Sequence, residues 1–380
     1  MNVRFTRIAT LHADRPGAMS ALRPTGRALL VALAAACAVA CSSGGEASKK
    51  SAPQDPAQVL YAQGKYAEAL PLLEKALAAR RTGSLLYQIG YCKGVVEGTG
   101  GAAQKQLWSE ARPLLEQEVA APGQATLDRL YYLTVISSDD GQAEAMRKYG
   151  RQAVDTIEKG ADQSHLSGEE WFRLARIHEF LEEPSEAEAA YRRSVSAFRA
   201  APAANPTYQA LALARVGELE LDNRRYEAAA DAFAEALKLV PSLNQVRPYR
   251  NGVALFGAGR FDEAIAAFGA DRDPQTMTES QYAGDLARRT KEAGGLIPAE
   301  PDGVPIDQMP LESLDGRIKD ATTALRSSRE KNSYKPGDPL VPEIADRQRR
   351  FTSLMRERFL QTGELQDFCL QEGLADLVRR

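Results

Sequence analysis

Catalysis or metal binding would have to start from very few residues in this chain. Its histidines are His12, His165 and His178, and no HExxH pair, paired CxxC sites or GxSxG elbow accompanies them. Gly98, Gly100 and Gly101 stand close together, but they lack the strand and helix context that a phosphate-binding loop requires. Cys92 and Cys369 lie far apart in sequence. Two buried thiols, or a disulfide in an oxidising compartment, both satisfy them. Carboxylates are plentiful, 51 Asp and Glu against 48 Lys and Arg, but without a fold that pairs them they are solvated helix faces. No catalytic residue, metal site, cofactor or enzymatic role is therefore expected. The remaining candidates are aromatics and arginines, the types that anchor binding interfaces.

The elements that would position them recur. A turn residue, an aromatic, an Ala, a bulky apolar residue and often another Ala return six times, as in Gly64, Tyr66, Ala69, Leu73, Ala76 and again in Gly259, Phe261, Ala264, Phe268. Aligned on the central small residue, the copies fall at Ala69, Ala111, Ala145, Ala187, Ala229 and Ala264, with the third uncertain by one position. One such unit cannot bury its apolar face alone, so the units must stack. The Ala-rich stretches favour helix, and residues 55–290 show no sustained strand pattern. The second copy carries extra residues, Val96 to Gln104, expected as a widened loop.

Over residues 55–272 the chain resembles the tetratricopeptide-repeat family. The fourth copy places Trp171, Leu174, Ala175, Ala187 and Tyr191 on its signature, and the fifth Leu213, Gly217, Tyr226, Ala229, Phe233, Ala236 and Pro241. The small residues suit helix crossings, and Pro241 stops a helix. The resemblance implies an all-α fold, a right-handed solenoid of about six helical hairpins followed by C-terminal helices. It also implies a groove lined by first helices that binds a protein partner. Carried onto this chain, the lining is Tyr87 and Tyr91, then Phe172, Arg176 and Glu179, then Glu218, then Tyr249, Val253 and Phe256.

At the N-terminus, Arg23 and Arg27 precede an apolar run from Ala28 to Ala40, too short to span a bilayer but suited to a signal peptide. Ala38-Val39-Ala40-Cys41 resembles the cleavage site of bacterial lipoproteins, with Cys37 as a rival and Met19 as an alternative start. That resemblance implies lipidation at Cys41, and Ser42 implies sorting to the outer membrane, facing the periplasm. Removing residues 1–40 takes away five Arg and one Asp, leaving a charge of −7, which argues against a nucleic-acid partner.

The expected organisation is a signal peptide over 1–40, a tether over 41–54 and a solenoid with capping helix over 55–293. A linker over 294–310 and a helical region over 311–380 complete it. In the last region Phe351, Leu354, Met355, Phe359 and Leu360 recur at helical spacing among arginines and are expected to pack rather than face water. The functional expectation is a membrane-anchored scaffold that holds an envelope protein or peptide segment, with oligomeric state left open. A pilotin-like or motility or secretion accessory, a peptidoglycan- or polysaccharide-associated protein, and an enzyme with residues 311–380 as catalytic piece are the alternatives.

Overall fold

The computed structural model describes residues 55–97, 101–160, 166–201, 206–241, 243, 245–335 and 338–378. Cys41, the apolar run, the tether and His165 lie outside the described residues. No strand occurs among the described residues, and no described helix is long and apolar enough to cross a membrane. The chain divides into two compact units between Gln163 and Ser164.

The first unit contains α1 (Pro56–Ala62), α2 (Tyr66–Ala79), α3 (Gly83–Val96), α4 (Ala102–Ala120), α5 (Leu127–Asp139) and α6 (Ala143–Gly160), packed as three successive hairpins. The second begins with α7 (Gly168–Phe180), α8 (Pro184–Ala200), α9 (Pro206–Asp222), α10 (Tyr226–Leu239), α11 (Pro248–Gly257) and α12 (Phe261–Ala270), three more hairpins. The capping helix α13 (Met277–Glu292) then packs on α12.

Five of the six hairpins share one turn. Gly64, Gly141, Glu182, Arg224 and Gly259 hold φ between 58° and 77°, the left-handed conformation that ends a helix. The next N–H returns to a carbonyl five residues back, as Arg225 to Glu220 (2.8 Å), Arg260 to Leu255 (2.9 Å) and Gln142 to Ser137 (2.8 Å). Five residues after each left-handed position stands the residue facing the first helix: Ala69, Met146, Ala187, Ala229, Ala264. The third copy is thus centred on Met146, one residue beyond Ala145. The second copy departs differently, because α4 already starts at Ala102 and takes in part of the stretch expected as loop.

Small residues let the helices of a hairpin touch. A Cβ added at Gly217 would stand 2.6 Å from the Phe233 ring, one at Gly252 2.6 Å from Phe268, and one at Gly90 2.7 Å from Trp108. Ala229 and Phe233 are fully buried. Phe233 thus closes its own hairpin against Gly217.

Beyond α13 the construction changes. Residues 294–310, expected as a linker, carry the buried Glu300, Ile306 and Met309 and a 3-10 turn at Ile306–Gln308. The Glu300 carboxylate, wholly enclosed, accepts from Arg350 (Nε, 2.9 Å) and Arg317 (Nη1, 3.2 Å). Then come α14 (Leu311–Lys331), α15 (Pro342–Thr362), α16 (Gln366–Gln371) and α17 (Ala375–Val378), the last three separated by turns at Gly363 (φ 71°) and Gly373 (φ 63°). Phe351, Leu354, Met355 and Phe359 are buried as expected. The Cys92 and Cys369 thiols are free and buried, and burial pushes each up to about 12. A thiol held protonated in this way is a poor nucleophile.

Candidate functional site

In the first unit Tyr87 is a core residue. Its ring is stacked between Trp108 (5.2 Å) and Tyr132 (4.0 Å), and the Trp108 indole donates to the Tyr87 carbonyl at 3.1 Å. Tyr91 keeps a partly exposed position, meeting Tyr66 at 5.3 Å and Tyr61 at 6.2 Å, edge to face.

In the second unit Ser167 sets the start of α7 through a capping box, accepting from the Glu170 N–H at 3.2 Å while Glu170 accepts from the Ser167 N–H at 2.8 Å. That start fixes which face of α7 points outward. Phe172 turns inward against Tyr191 and Tyr208 and is nearly buried. Arg176 pairs with Glu179 one turn on, and Arg215 of α9 approaches the same carboxylate at 3.6 Å. Beneath them the Tyr191 phenol is fully enclosed, and burial, then the nearby Glu179, drives its titration far upward.

The pattern recurs one helix along. Arg250 of α11 reaches back to Glu218 (2.6 Å) and Asp222 (2.5 Å) of α9. Burial opposes the charge on Arg250, but the two carboxylates outweigh it and hold the guanidinium above its ordinary range. The α7, α9 and α11 face therefore carries a ladder of partly exposed ion pairs. Arg176, Glu179 and Glu218 of the predicted lining belong to it. Arg215 and Arg250 do too, and sequence reasoning missed them. Their signal was an Arg repeated at a 35-residue interval on successive first helices.

The last predicted positions are placed otherwise, because α15 covers them. Phe256 is fully buried, with Phe359 6.3 Å away and the Arg356 guanidinium 5.8 Å over its ring. Arg356 donates to the carbonyls of Phe256 (3.1 Å) and Gly257, in the last turn of α11. The Tyr249 hydroxyl donates to the Gly363 carbonyl at 3.2 Å, while Val253 remains partly exposed. An open groove at Tyr249 and Phe256 is thus corrected to a filled one.

His178 is enclosed, its Nδ1 2.8 Å from a Glu183 carboxylate oxygen across the hairpin turn. No group of three or more His, Cys, Asp or Glu comes together as metal ligands among the described residues.

Paired helices with an ion-pair face define a helical-repeat protein-interaction scaffold, a fold that is typically non-catalytic. Residues 171–200, within the fourth hairpin, match the family model of the tetratricopeptide repeat. No curated protein matches the chain.

Proposed function

We propose that this chain is a lipid-anchored scaffold of the cell envelope, held to the outer membrane through Cys41, whose repeats grip a partner protein or peptide. The observation that carries the partner site is the ladder joining α7, α9 and α11. Its side chains are paired with each other and partly wetted, so a partner can exchange its own charges for theirs without stripping water from bare ions. The anchoring rests on the Ala38 to Cys41 pattern and the polar stretch after it. Sugar binding is less favoured, because Tyr87, Phe172 and Phe256, three of the five candidate rings, are committed to the core.

Crosslinking in intact cells tests the site. Arg215→Glu with Arg250→Glu is expected to lose the crosslinked partner while circular dichroism stays unchanged. Full partner recovery would move the site off this face. Separately, Cys41→Ser is expected to abolish acyl labelling and release the protein from the membrane fraction; labelling that persists would remove the anchor from the proposal.

A further inference from the structure

The C-terminal half of α15 meets α11 and the α9 to α10 turn, while its N-terminal half packs on α13 and the stretch after it. Its contacts there are mostly polar and aimed at main-chain groups. Arg356 caps α11, the Glu357 carboxylate meets Arg224 of the α9 to α10 turn, and Gly363 receives Tyr249. Arg349 donates to the Ala293 carbonyl (2.9 Å), Gln348 to that of Arg289 (3.3 Å), and Ser353 accepts from the Ile297 N–H (3.0 Å). Phe359 against Phe256 is the one aromatic pair between α15 and the hairpins among the described residues.

Other apolar residues of this region belong to the seam between α14 and α15. Leu314, Ile318, Ala321 and Leu325 form one buried stripe of α14, Ile344, Phe351 and Leu354 are buried on α15, and the two helices pack along each other. An element with its own apolar seam and a polar seat on its neighbour resembles one side of a separable interface. Between it and α13 stand Gly294 and Gly295, both left-handed at φ 86° and 97°, positions that absorb large backbone changes easily.

We propose that the α14 and α15 hairpin is a detachable occupant of this face. The partner that takes its place is an amphipathic helix presenting Arg, Glu and Phe at positions i, i+1 and i+3, as Arg356, Glu357 and Phe359 do. This extends the scaffold reading by naming the kind of partner, and it makes the chain regulate its own site: the tethered hairpin competes at high effective concentration with any helix offered from outside.

The test uses the full chain and, as probe, a fluorescent peptide of residues 342–362. Glu357→Arg repels Arg224 and loosens the hairpin while leaving the receiving face intact. Amide exchange of α15 is expected to rise at least tenfold with α9 and α11 unchanged, and the peptide to bind the variant at least tenfold more tightly than the wild-type chain. A peptide carrying Arg356→Ala and Phe359→Ala should not bind. Exchange that rises in α9 and α11 together with α15 would make the hairpin an inseparable part of the core and overturn the proposal. An opened α15 with no peptide binding would overturn it equally. Should Glu357→Arg fail to fold, Arg356→Lys, which keeps the charge but removes the fork, is read by the same two measurements. These outcomes are independent of the Arg215 and Arg250 experiment, which concerns the uncovered part of the face.

Discussion

The α9/α10 hairpin and the α14/α15 hairpin are both antiparallel helix pairs in one compact unit, yet different physics holds each in place. The first closes on a shape match, the Phe233 ring against Gly217, with Ala229 at the crossing. The second has an apolar seam of its own but is also tied by charge, through Glu300 between two arginines, Arg358 on Asp315 (2.8 Å), and Arg356 on main-chain carbonyls. Shape matches repeat along the sequence, a glycine of the first helix meeting a ring of the second in the second, fifth and sixth hairpins. These charge seats do not, since they join residues with no common interval, from Arg317 and Glu300 to Arg224 and Glu357.

Substitutions that break one kind of contact and spare the other sharpen that contrast. Phe233→Ala should have the largest effect, about 3–5 kcal/mol, since it opens a cavity over a glycine that cannot fill it. Urea unfolding of the second unit would report it. Glu300→Ala should cost about 3 kcal/mol by leaving Arg317 and Arg350 turned toward an uncompensated pocket. Glu300→Gln, which keeps the shape and loses the charge, should fall between wild type and Ala; equal losses for both would mean that charge is the whole of the contact. Ala229→Leu should cost about 1–3 kcal/mol by overpacking, and unchanged melting would mean that Ala229 is not at the helix crossing.

A pH-dependent effect is expected at Asp271, the enclosed carboxylate ahead of α13. Burial pushes its titration up, but donations from Ser280 (2.5 Å), the Asp273 N–H (3.0 Å) and Thr276 (2.8 Å) outweigh this and hold it below the usual carboxylate range. A depressed folded-state value stabilises fully above the unfolded Asp value and is lost as pH falls through the folded one. Asp271→Asn should therefore destabilise by about 1 kcal/mol at neutral pH. Its deficit should shrink below about pH 4, where the unfolded carboxyl takes up its proton. A deficit that stays constant with pH would show that the charge plays no part. An equally small effect, about 1 kcal/mol, is expected for Gly259→Ala, whose left-handed φ of 77° a side chain resists.

The hairpins were legible in sequence because Gly, Ala and Phe at fixed intervals are themselves the packing instructions. The third register slipped because Met146 is not small. Gly141, five residues ahead of it, carried the information that the missing Ala did not. The candidate face was half legible: family resemblance supplied Arg176, Glu179 and Glu218 but said nothing of the arginines that answer them from the next helix. Nothing periodic foretold that Phe256 would be roofed by a helix one hundred residues downstream. That contact belongs to the charge-seated half of the molecule, where the pairing is written once and never repeated.

The left-handed turn also governs where this chain can change length. From Ala57 to Ala69, Ala175 to Ala187, Gly217 to Ala229 and Gly252 to Ala264 the count is twelve residues each time, while successive copies otherwise stand 35 to 42 apart. One residue added inside a hairpin would rotate the second helix by about 100° and turn its ring away from the small residue it must meet. The same addition between hairpins, as in the stretch from Ala121 to Thr126, disturbs no such pairing. Insertions, tags and evolutionary growth thus have permitted addresses between the hairpins; the second hairpin, which is not among the five that share the left-handed turn, is the one that carries extra residues inside it, Val96 to Gln104.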